Sequence, residues 1–415
     1  MQKLVFDEPY QFVPPYRGTF WSWVVGRMLP RLLRSRYGLT SWKSEGLEHL
    51  RESLKAGHGV ILCPNHCRAS DPMATGIIVT ETPVHAYAMA SWHVFRQSWL
   101  EAFVCRRIGA FSVYREGMDR KALDLAIEIV SSAERPLIVF AEGVISAAND
   151  RLLSLMDGAS FIAHTAARRR AKENPGAQVV VHPVSFVYEH RSDPTVSLGP
   201  VLTSLEERLF WQTFPDDDIR SRIDRLREAL QCAREVQVFG QARTGDTEQR
   251  IGAMVNHVLQ QHETAWLGKP RTGDVVARVK DLRIALLADM VAGKVDNAER
   301  ARRWRVLRDL YYAQCISMHV PGYLDRDAAG HRYNHRLFET VERMEEEVTD
   351  VITTHNDLHV TVKIGEAIAV PPEKKPRGDD PLMNSLRREM LKLLGVPDLW
   401  PPQPVQWAGP VSESN

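Results

Sequence analysis

Residues 59–72 read GVILCPNHCRASDP, a short apolar run followed by a loop that holds several reactive side chains. The run at 59–63 has the length and composition of a buried strand, and Gly57 ends the helical pattern before it. Pro72, directly after Asp71, favours the first turn of a new helix. The stretch therefore predicts a strand, a polar loop and a helix, which together begin a βαβ unit.

The same alternation continues on both sides of this stretch. Further apolar runs of strand length lie at 84–89, 110–114, 136–140 and 179–188. Helical patterns lie before and between the runs, at 45–56, 94–107, 119–133 and 157–173. Short apolar runs separated by helices are typical of parallel sheets. We therefore predict an α/β fold with a largely parallel central sheet flanked by helices.

The pattern changes after residue 200. Residues 204–350 are rich in Arg, Glu, Leu and Ala at helical spacing, and we expect helices without an internal repeat of fixed period. HVTVKIGEAIAV at 359–370 has the composition of a strand with a glycine kink, which would rejoin the sheet. The predicted segments are an amphipathic, candidate membrane-interfacial N-terminus (1–40), a main domain (41–203), a helical insertion or second domain (204–357), a returning strand (358–370), a linker with a C-terminal helix (371–400) and a disordered tail (401–415).

Composition and charge exclude several classes of protein. The chain has 415 residues with 44% hydrophobic and 25% charged residues, which is ordinary for globular domains. The formal net charge of +1 argues against a globally basic nucleic-acid binder, so no nucleic acid is expected as a partner. The five cysteines are few and scattered, which argues for a reducing compartment and against a zinc site.

The segment YRGTFWSWVVGRMLPRLLRSR at 16–36 carries five arginines and no acidic residue beside an apolar stripe. Arginine and tryptophan next to such a stripe suit a membrane interface, although a helix packed on its own domain has the same pattern. Pro30 should kink or break this helix. No run approaches the ~20 apolar residues of a membrane span, so we expect a cytoplasmic protein, peripheral on the cytoplasmic face of a membrane.

Three polar groups follow predicted strands. His66 and Asp71 lie five residues apart, and a carboxylate that orients an imidazole makes two thirds of a Ser-His-Asp triad; Asp71 before Pro72 is equally an ordinary helix cap. Arg115 follows the run at 110–114 and could bind an anion or lie in solvent. Glu142, before Gly143, could belong to the functional site or could be an ordinary turn residue.

These groups are more informative together than separately. If the strands are parallel, His66, Arg115 and Glu142 meet at one edge of the sheet, where open α/β sheets bind their ligands. A base, an anion holder and a second carboxylate at one edge outline a site for group transfer. The arrangement also permits a metal-dependent hydrolase built on His66, Asp71 and Glu142, but no third histidine stands at a suitable ligand spacing.

Four motifs in this order resemble the glycerolipid acyltransferase family of the PlsC type. Asn65-His66 with Asp71 is similar to the NHxxxxD motif, and GAFSVYR at 109–115 resembles the family's Gly-x5-Arg segment. FAEGVIS at 140–146 resembles FPEGTRS, and VVVHPVSFVY at 179–188 resembles the fourth block. The resemblance covers about residues 40–190, so that 41–203 would be the acyltransferase domain.

The resemblance implies a reaction and a set of roles. His66 would act as the general base on a hydroxyl of a glycerol-based lipid, and Asp71 would orient it. Arg115 would hold a phosphate of the acceptor, while Asn65, Glu142 and Gly143 would belong to the substrate-binding site. The donor would be an acyl thioester, either acyl-CoA or acyl carrier protein, used at a membrane surface. No metal and no other cofactor is implied.

The third block departs from the family pattern. Ala141, Val144 and Ile145 stand where Pro, Thr and Arg are usual, and loss of that arginine removes a phosphate contact. The acceptor could then be another lysolipid, an alcohol without phosphate, or a phosphate held by Arg115. Further cations considered for that phosphate are Arg68, Arg120 and Lys121. The same departures also suit a catalytically silent lipid-binding or scaffold protein.

Overall fold

The computed structural model describes residues 5–82, 84–174, 176–320, 322–326, 330–355, 357–374 and 378–396. Its strands are β1 (Leu39–Glu45), β2 (Gly59–Pro64), β3 (Tyr87–Ser91), β4 (Ala110–Val113), β5 (Leu137–Ile138), β6 (Val179–His190), β7 (Leu358–Ile364) and β8 (Ile368–Val370). These eight form one sheet in the order β1-β7-β6-β2-β5-β3-β4, with β8 paired to β6. The predicted disordered tail at 401–415 lies outside the described residues.

The sheet is largely parallel. Strands β6, β2, β5, β3 and β4 all run in one direction, while β7 and β8 pair antiparallel with β6 and β1 pairs parallel with β7. The carboxyl ends of β2, β4 and β5 therefore share one edge of the sheet. The predicted α/β fold with flanking helices is confirmed.

Two strands differ from the sequence-based prediction. Strand β1 was not predicted, because LTSWKSE is polar and its side chains are mostly half-buried. It lies at the edge of the sheet and pairs with β7, more than 300 residues later in the chain. Strand β5 has only two residues, and directly after it Val139 N still donates a hydrogen bond to the Leu62 carbonyl of β2 at 2.9 Å.

Helices cover both faces of the sheet. They are α1 (Phe20–Tyr37), α2 (Leu47–Lys55), α3 (Asp71–Glu81), α4 (Val94–Gln97), α5 (Trp99–Arg107), α6 (Arg120–Ser132) and α7 (Asp157–Glu173). Helices α6 and α7 pack on one face with the C-terminal helix Pro381–Leu394, whereas α1, α2 and α3 cover the other. Asp380 caps that C-terminal helix by accepting a hydrogen bond from Leu382 N at 3.0 Å.

Two helices differ from expectation. Helix α1 runs through Pro30 without a break, and the Pro30 ring lies on its exposed side. The helix predicted at 94–107 is instead two, since Ser98 leaves the helical conformation and caps α5. In the described part of the chain, no helix is long and apolar enough to cross a membrane.

The region after β6 is helical. It contains α8 (Pro194–Leu209), α9 (Ile219–Phe239), α10 (Thr247–Leu267), α11 (Val275–Val291), α12 (Asn297–Ser317), a 3₁₀ turn (Gly330–Arg332) and α13 (Tyr333–Thr349), so that Pro381–Leu394 is α14. Helices α9 to α12 share one apolar core, and α8, α9 and α13 share another.

The prediction that this region has no fixed-period repeat is wrong. Asp218, Asp246 and Asp274 stand 28 residues apart, and each caps the helix that follows it. RTGD recurs at 243–246 and 271–274. The repeat is hard to detect in the sequence because its copies share few residues. The shared residues lie at helix ends and do not form a helix face.

Each repeat carries the same buried ion pair. A glutamate near the end of one helix receives two hydrogen bonds from an arginine in the first turn of the next, as Glu235 does from Arg250 at 2.9 and 2.8 Å. The same carboxylate accepts the backbone N–H of the connecting loop, here from Arg243 at 2.8 Å. We call these three pairs the helix clasps: Glu206–Arg222, Glu235–Arg250 and Glu263–Arg278.

Candidate active site

The loop after β2 presents His66 to a cavity. Its Nδ1 lies 2.9 Å from Oδ2 of Asp71, and the ring rests against Phe140 with centroids 4.4 Å apart. Because the carboxylate accepts that bond, Nδ1 carries the proton and Nε2 presents its lone pair. Nε2 has no hydrogen-bond partner among the described residues, so it is available to a ligand.

Asp71 is fully buried at the start of α3. Besides His66, its carboxylate accepts hydrogen bonds from Arg68 N at 2.8 Å and from the Tyr188 hydroxyl at 2.7 Å. Burial, followed by the neighbouring Asp71, raises the pKa of Tyr188 well above its usual value, so the hydroxyl remains a donor. Three donors on one carboxylate fix its orientation, and through it the orientation of the imidazole.

Ser70, rather than Asp71, occupies the N-cap position of α3. Its hydroxyl lies 3.0 Å from that of Tyr188 instead of capping the helix. The carboxylate of Asp71 is likewise turned toward His66 and not toward the backbone of its own helix. The ordinary capping role that the Asp-Pro sequence allowed is therefore not the one seen here.

Glu142 lies behind His66 and does not line the cavity. One carboxylate oxygen accepts the backbone N–H of His66 at 2.6 Å, and the other accepts that of Leu153 at 2.8 Å. Burial raises the pKa of Glu142 to about 8, although these two N–H groups act in the opposite direction. Glu142 thus joins the loops after β2 and β5, so its geometry is that of a positioning residue.

Arg115 and Gly143 lie on the cavity wall, as the parallel strands require. The guanidinium donates to the Gly143 carbonyl at 2.7 Å, and burial lowers the pKa of Arg115. Gly143 has φ +71°, and a Cβ there would clash with Met156. The structure therefore brings His66, Arg115 and Gly143 to one cavity.

Asn65 does not reach the cavity. It is fully buried, and its side-chain amide accepts from Phe186 N at 2.7 Å and donates to Phe186 O at 3.3 Å. Both polar atoms are thereby occupied by strand β6. This geometry fixes the start of the loop and leaves no contact for a substrate.

The alternative phosphate holders do not offer an unpaired charge to the cavity. Arg68 pairs with Glu342 of α13 at 2.9 Å, so its charge is already neutralised. Arg120 and Lys121 are exposed at the start of α6 and do not line the cavity. Arg115 remains the cation from the family-like segment that faces the site.

Helix α13 contacts the loops after β2 and β5 through hydrogen bonds and ion pairs. Glu339 accepts from Asn149 N at 2.9 Å, and Arg336 pairs with Asp150 at 2.7 Å. Together with Arg68–Glu342, these contacts join the helical region to the loops after β2 and β5. Sequence analysis missed this support, since no local pattern tells which helix face meets a loop far away in the chain.

The cavity has a volume of about 2360 Å³ and extends into the helical region. One part is apolar and lies between α1, α3 and α5, where its wall includes Val25, Leu29 and Met73. Another part is bounded by α9, α11 and α12 and carries cations. A typical small-molecule site measures roughly 300–1,000 Å³, so two substrates of moderate size could occupy this one.

This arrangement can abstract a proton. An imidazole with one nitrogen fixed by a buried carboxylate and the other open to a ligand is the geometry of a general base. Burial raises the pKa of Cys67 well above its usual value, so this neighbouring thiol is not a nucleophile. Among the residues that the structure describes, no cluster of three His, Cys, Asp or Glu side chains could hold a metal ion.

The comparisons with known proteins agree with the motifs. Residues 43–187 match the model of a family described as Acyltransferase. The match spans β1 to β6 and includes the loops that carry His66, Arg115 and Gly143. No curated protein matched the chain.

Proposed function

Because residues 43–187 form a domain of the acyltransferase family, we propose that this protein transfers a fatty acyl group to a hydroxyl of a glycerol-based lipid. The donor is an acyl thioester, carried by coenzyme A or by acyl carrier protein. The observation that carries the proposal is His66, with Nδ1 held by Asp71 and Nε2 open to the cavity.

The reaction needs no covalent enzyme intermediate. Nε2 of His66 takes the proton of the acceptor hydroxyl while that oxygen attacks the thioester carbonyl. The C–S bond then breaks, and the leaving thiolate receives the proton from the imidazolium. Asp71 stabilises the imidazolium, and binding both substrates in one cavity supplies the proximity.

The apolar part of the cavity suits the acyl chain. Its wall between α1, α3 and α5 includes Leu32, Val79 and Val104, and burying each methylene of a chain there contributes about 0.8 kcal/mol. A chain bound there would have its carboxyl end directed to His66.

The outer surface of α1 and α5 suits a membrane. Trp23 is 54% exposed and Trp99 is 80% exposed, and Arg27 lies over the Trp23 ring at 4.4 Å. The two helices are neighbours, because Trp21 packs on Phe103 at 5.2 Å. Aromatic rings beside arginines are favoured at lipid headgroups, so we place this surface on the cytoplasmic face of a membrane.

Replacing Trp23 and Trp99 together with alanine should weaken binding to anionic vesicles by about 10-fold or more, because two large apolar groups leave the interface. Vesicle sedimentation measures the bound fraction. Trp211→Ala is the matched control, since Trp211 is 97% exposed but lies in the helical region. Equal sedimentation of all three proteins would contradict the membrane surface.

The proposed activity is tested by thiol release from acyl-CoA and from acyl carrier protein with a panel of acceptors. We expect release that depends on an acceptor hydroxyl. Release without acceptor would indicate hydrolysis instead. Lipid binding without release from either donor would favour the silent lipid-binding protein.

A further inference from the structure

The helical region contributes an arginine without a partner to the cavity wall. Arg283 of α11 is only 7% exposed, and its Nε is buried without a hydrogen-bond partner. Among the described residues, no carboxylate lies within 4.0 Å of its guanidinium. A buried charge left unpaired is costly, so its retention points to a ligand that supplies the opposite charge.

A second unpaired cation faces the same space. Arg115 lines this cavity too, and in the described part of the chain its guanidinium donates to a neutral carbonyl, that of Gly143, and to no carboxylate. Burial, and then repulsion by Arg115, lower the pKa of Arg283 to about 10. Burial, and then repulsion by Arg115 and Arg283, lower the pKa of His93, which also lines the cavity.

Two other cations of the cavity are already neutralised by carboxylates, and a third, Arg343, donates to the carbonyls of Met318 and Cys315. Arg68 pairs with Glu342 at 2.9 Å, and Arg234 pairs with Glu347. Lys280 stands one turn before Arg283 on α11, lines the cavity and has no ion pair within 4.0 Å among the described residues. Arg283, Arg115 and Lys280 therefore add positive charge to one cavity, and Glu116, which also lines it, offsets part of that charge.

We propose that Arg283 and Arg115 together bind the phosphate of the acceptor lipid, with Lys280 adding charge at its edge. This inference rests on the proposed function, and it names the acceptor as a phosphorylated one. Ile145 lines the same cavity at the position where the resemblance leads one to expect an arginine. Arg283, supplied by a helix outside the family domain, would provide the guanidinium missing there.

The chemistry fits a phosphate monoester. It carries close to two negative charges at neutral pH, and two guanidinium forks can each donate two hydrogen bonds to it. A neutral alcohol would leave both arginines uncompensated. The phosphates of coenzyme A offer the same chemistry, so the test must separate acceptor from donor.

Calorimetric binding of glycerol 3-phosphate to the full chain tests the site without turnover. We expect Arg283→Gln to weaken binding by about 10-fold or more, since charge-assisted hydrogen bonds are lost. Arg283→Lys should retain part of the affinity. Arg305→Gln is the matched control, because Arg305 is exposed on the neighbouring helix and does not line the cavity. Equal affinity of wild type and Arg283→Gln would overturn the proposal.

Two further arms identify the source of the phosphate. Kinetics should show a raised KM of Arg283→Gln for 1-acylglycerol 3-phosphate and an unchanged KM for 1-acylglycerol. If Arg283→Gln instead weakens coenzyme A and spares glycerol 3-phosphate, the acceptor assignment is wrong. Phosphate binding that depends on Arg283, in a protein that releases no thiol, would uphold this anion site and reject the acyltransferase.

Discussion

Replacing His66 with alanine is expected to lower kcat for acyl transfer by about 10²–10⁴-fold, which is the usual contribution of a general base. The acceptor hydroxyl would keep its proton, because the Nε2 lone pair is the free acceptor that the β2 loop offers to the cavity. The substitution removes no buried hydrophobic contact of the sheet. We therefore expect KM for both substrates to change much less than kcat.

Thiol release under saturating donor and acceptor measures this effect. His257→Ala is the matched control, since His257 is exposed on α10 and does not line the cavity. Asp71→Asn should also lower kcat strongly, because the imidazole loses the carboxylate that sets its tautomer. A His66→Ala enzyme that retained a tenth of the wild-type rate would exclude His66 as the base.

The second large effect concerns stability. Glu235→Ala should lower the free energy of unfolding by about 3 kcal/mol, because the guanidinium of Arg250 loses its buried carboxylate and keeps only the half-exposed Glu228, at 2.7 Å. The backbone N–H of Arg243 loses its acceptor as well. Glu235 is fully buried and Arg250 is 7% exposed, so water can replace neither contact.

Urea unfolding of the full chain measures this difference. Glu173→Ala is the matched control: its pair with Arg169 is exposed, and we expect a loss of about 0.5 kcal/mol or less. The double variant Glu235→Leu with Arg250→Leu should recover much of the loss, because no buried charge remains unpaired and Glu228, which loses Arg250, is half exposed. A loss below about 1 kcal/mol for Glu235→Ala would contradict the structural role of the clasps.

The Glu235–Arg250 clasp also makes the stability of the protein depend on pH. Burial opposes ionisation of Glu235, but the hydrogen bonds from Arg250 and from Arg243 N outweigh it and lower its pKa to about 2. The unfolded chain binds a proton at this carboxyl near pH 4.5, well before the folded chain does. The stabilisation is therefore complete above that pH and is lost as the pH falls toward 2.

The parallel part of the fold could be predicted because each of its strands has a recognisable local sequence pattern. The runs at 59–63 and 179–188 are apolar enough to be buried on both faces, and the helices between them end at clear caps. Strand β1 carries no such signal, since its place depends on β7. The helix clasps could not be predicted for a related reason, because the sequence does not distinguish a buried arginine from an exposed one.

The sequence predicts which loops carry the candidate site, but not which contacts the side chains of those loops make. His66, Arg115 and Gly143 follow strand ends, and parallel topology alone brings them together. Asn65 and Glu142 lie in the same loops, yet they face the backbone, which residue type cannot show. Arg283 comes from a helix more than 160 residues after Arg115, so only tertiary packing places it in the cavity.

The position of β7 has a consequence for biosynthesis. Strand β1 finds its neighbour only after more than 300 further residues have been made, which takes roughly 15–60 s at ~5–20 residues per second. For the later part of that time, from the completion of β6 at residue 190 until residue 358, the edge of β6 that will receive β7 is open. The repeats α9 to α11 depend on near neighbours and can fold as they emerge. The last part of the sheet is thus completed around an already folded helical region, and a ribosome that stalls before residue 358 would release a chain with an unpaired β6 edge.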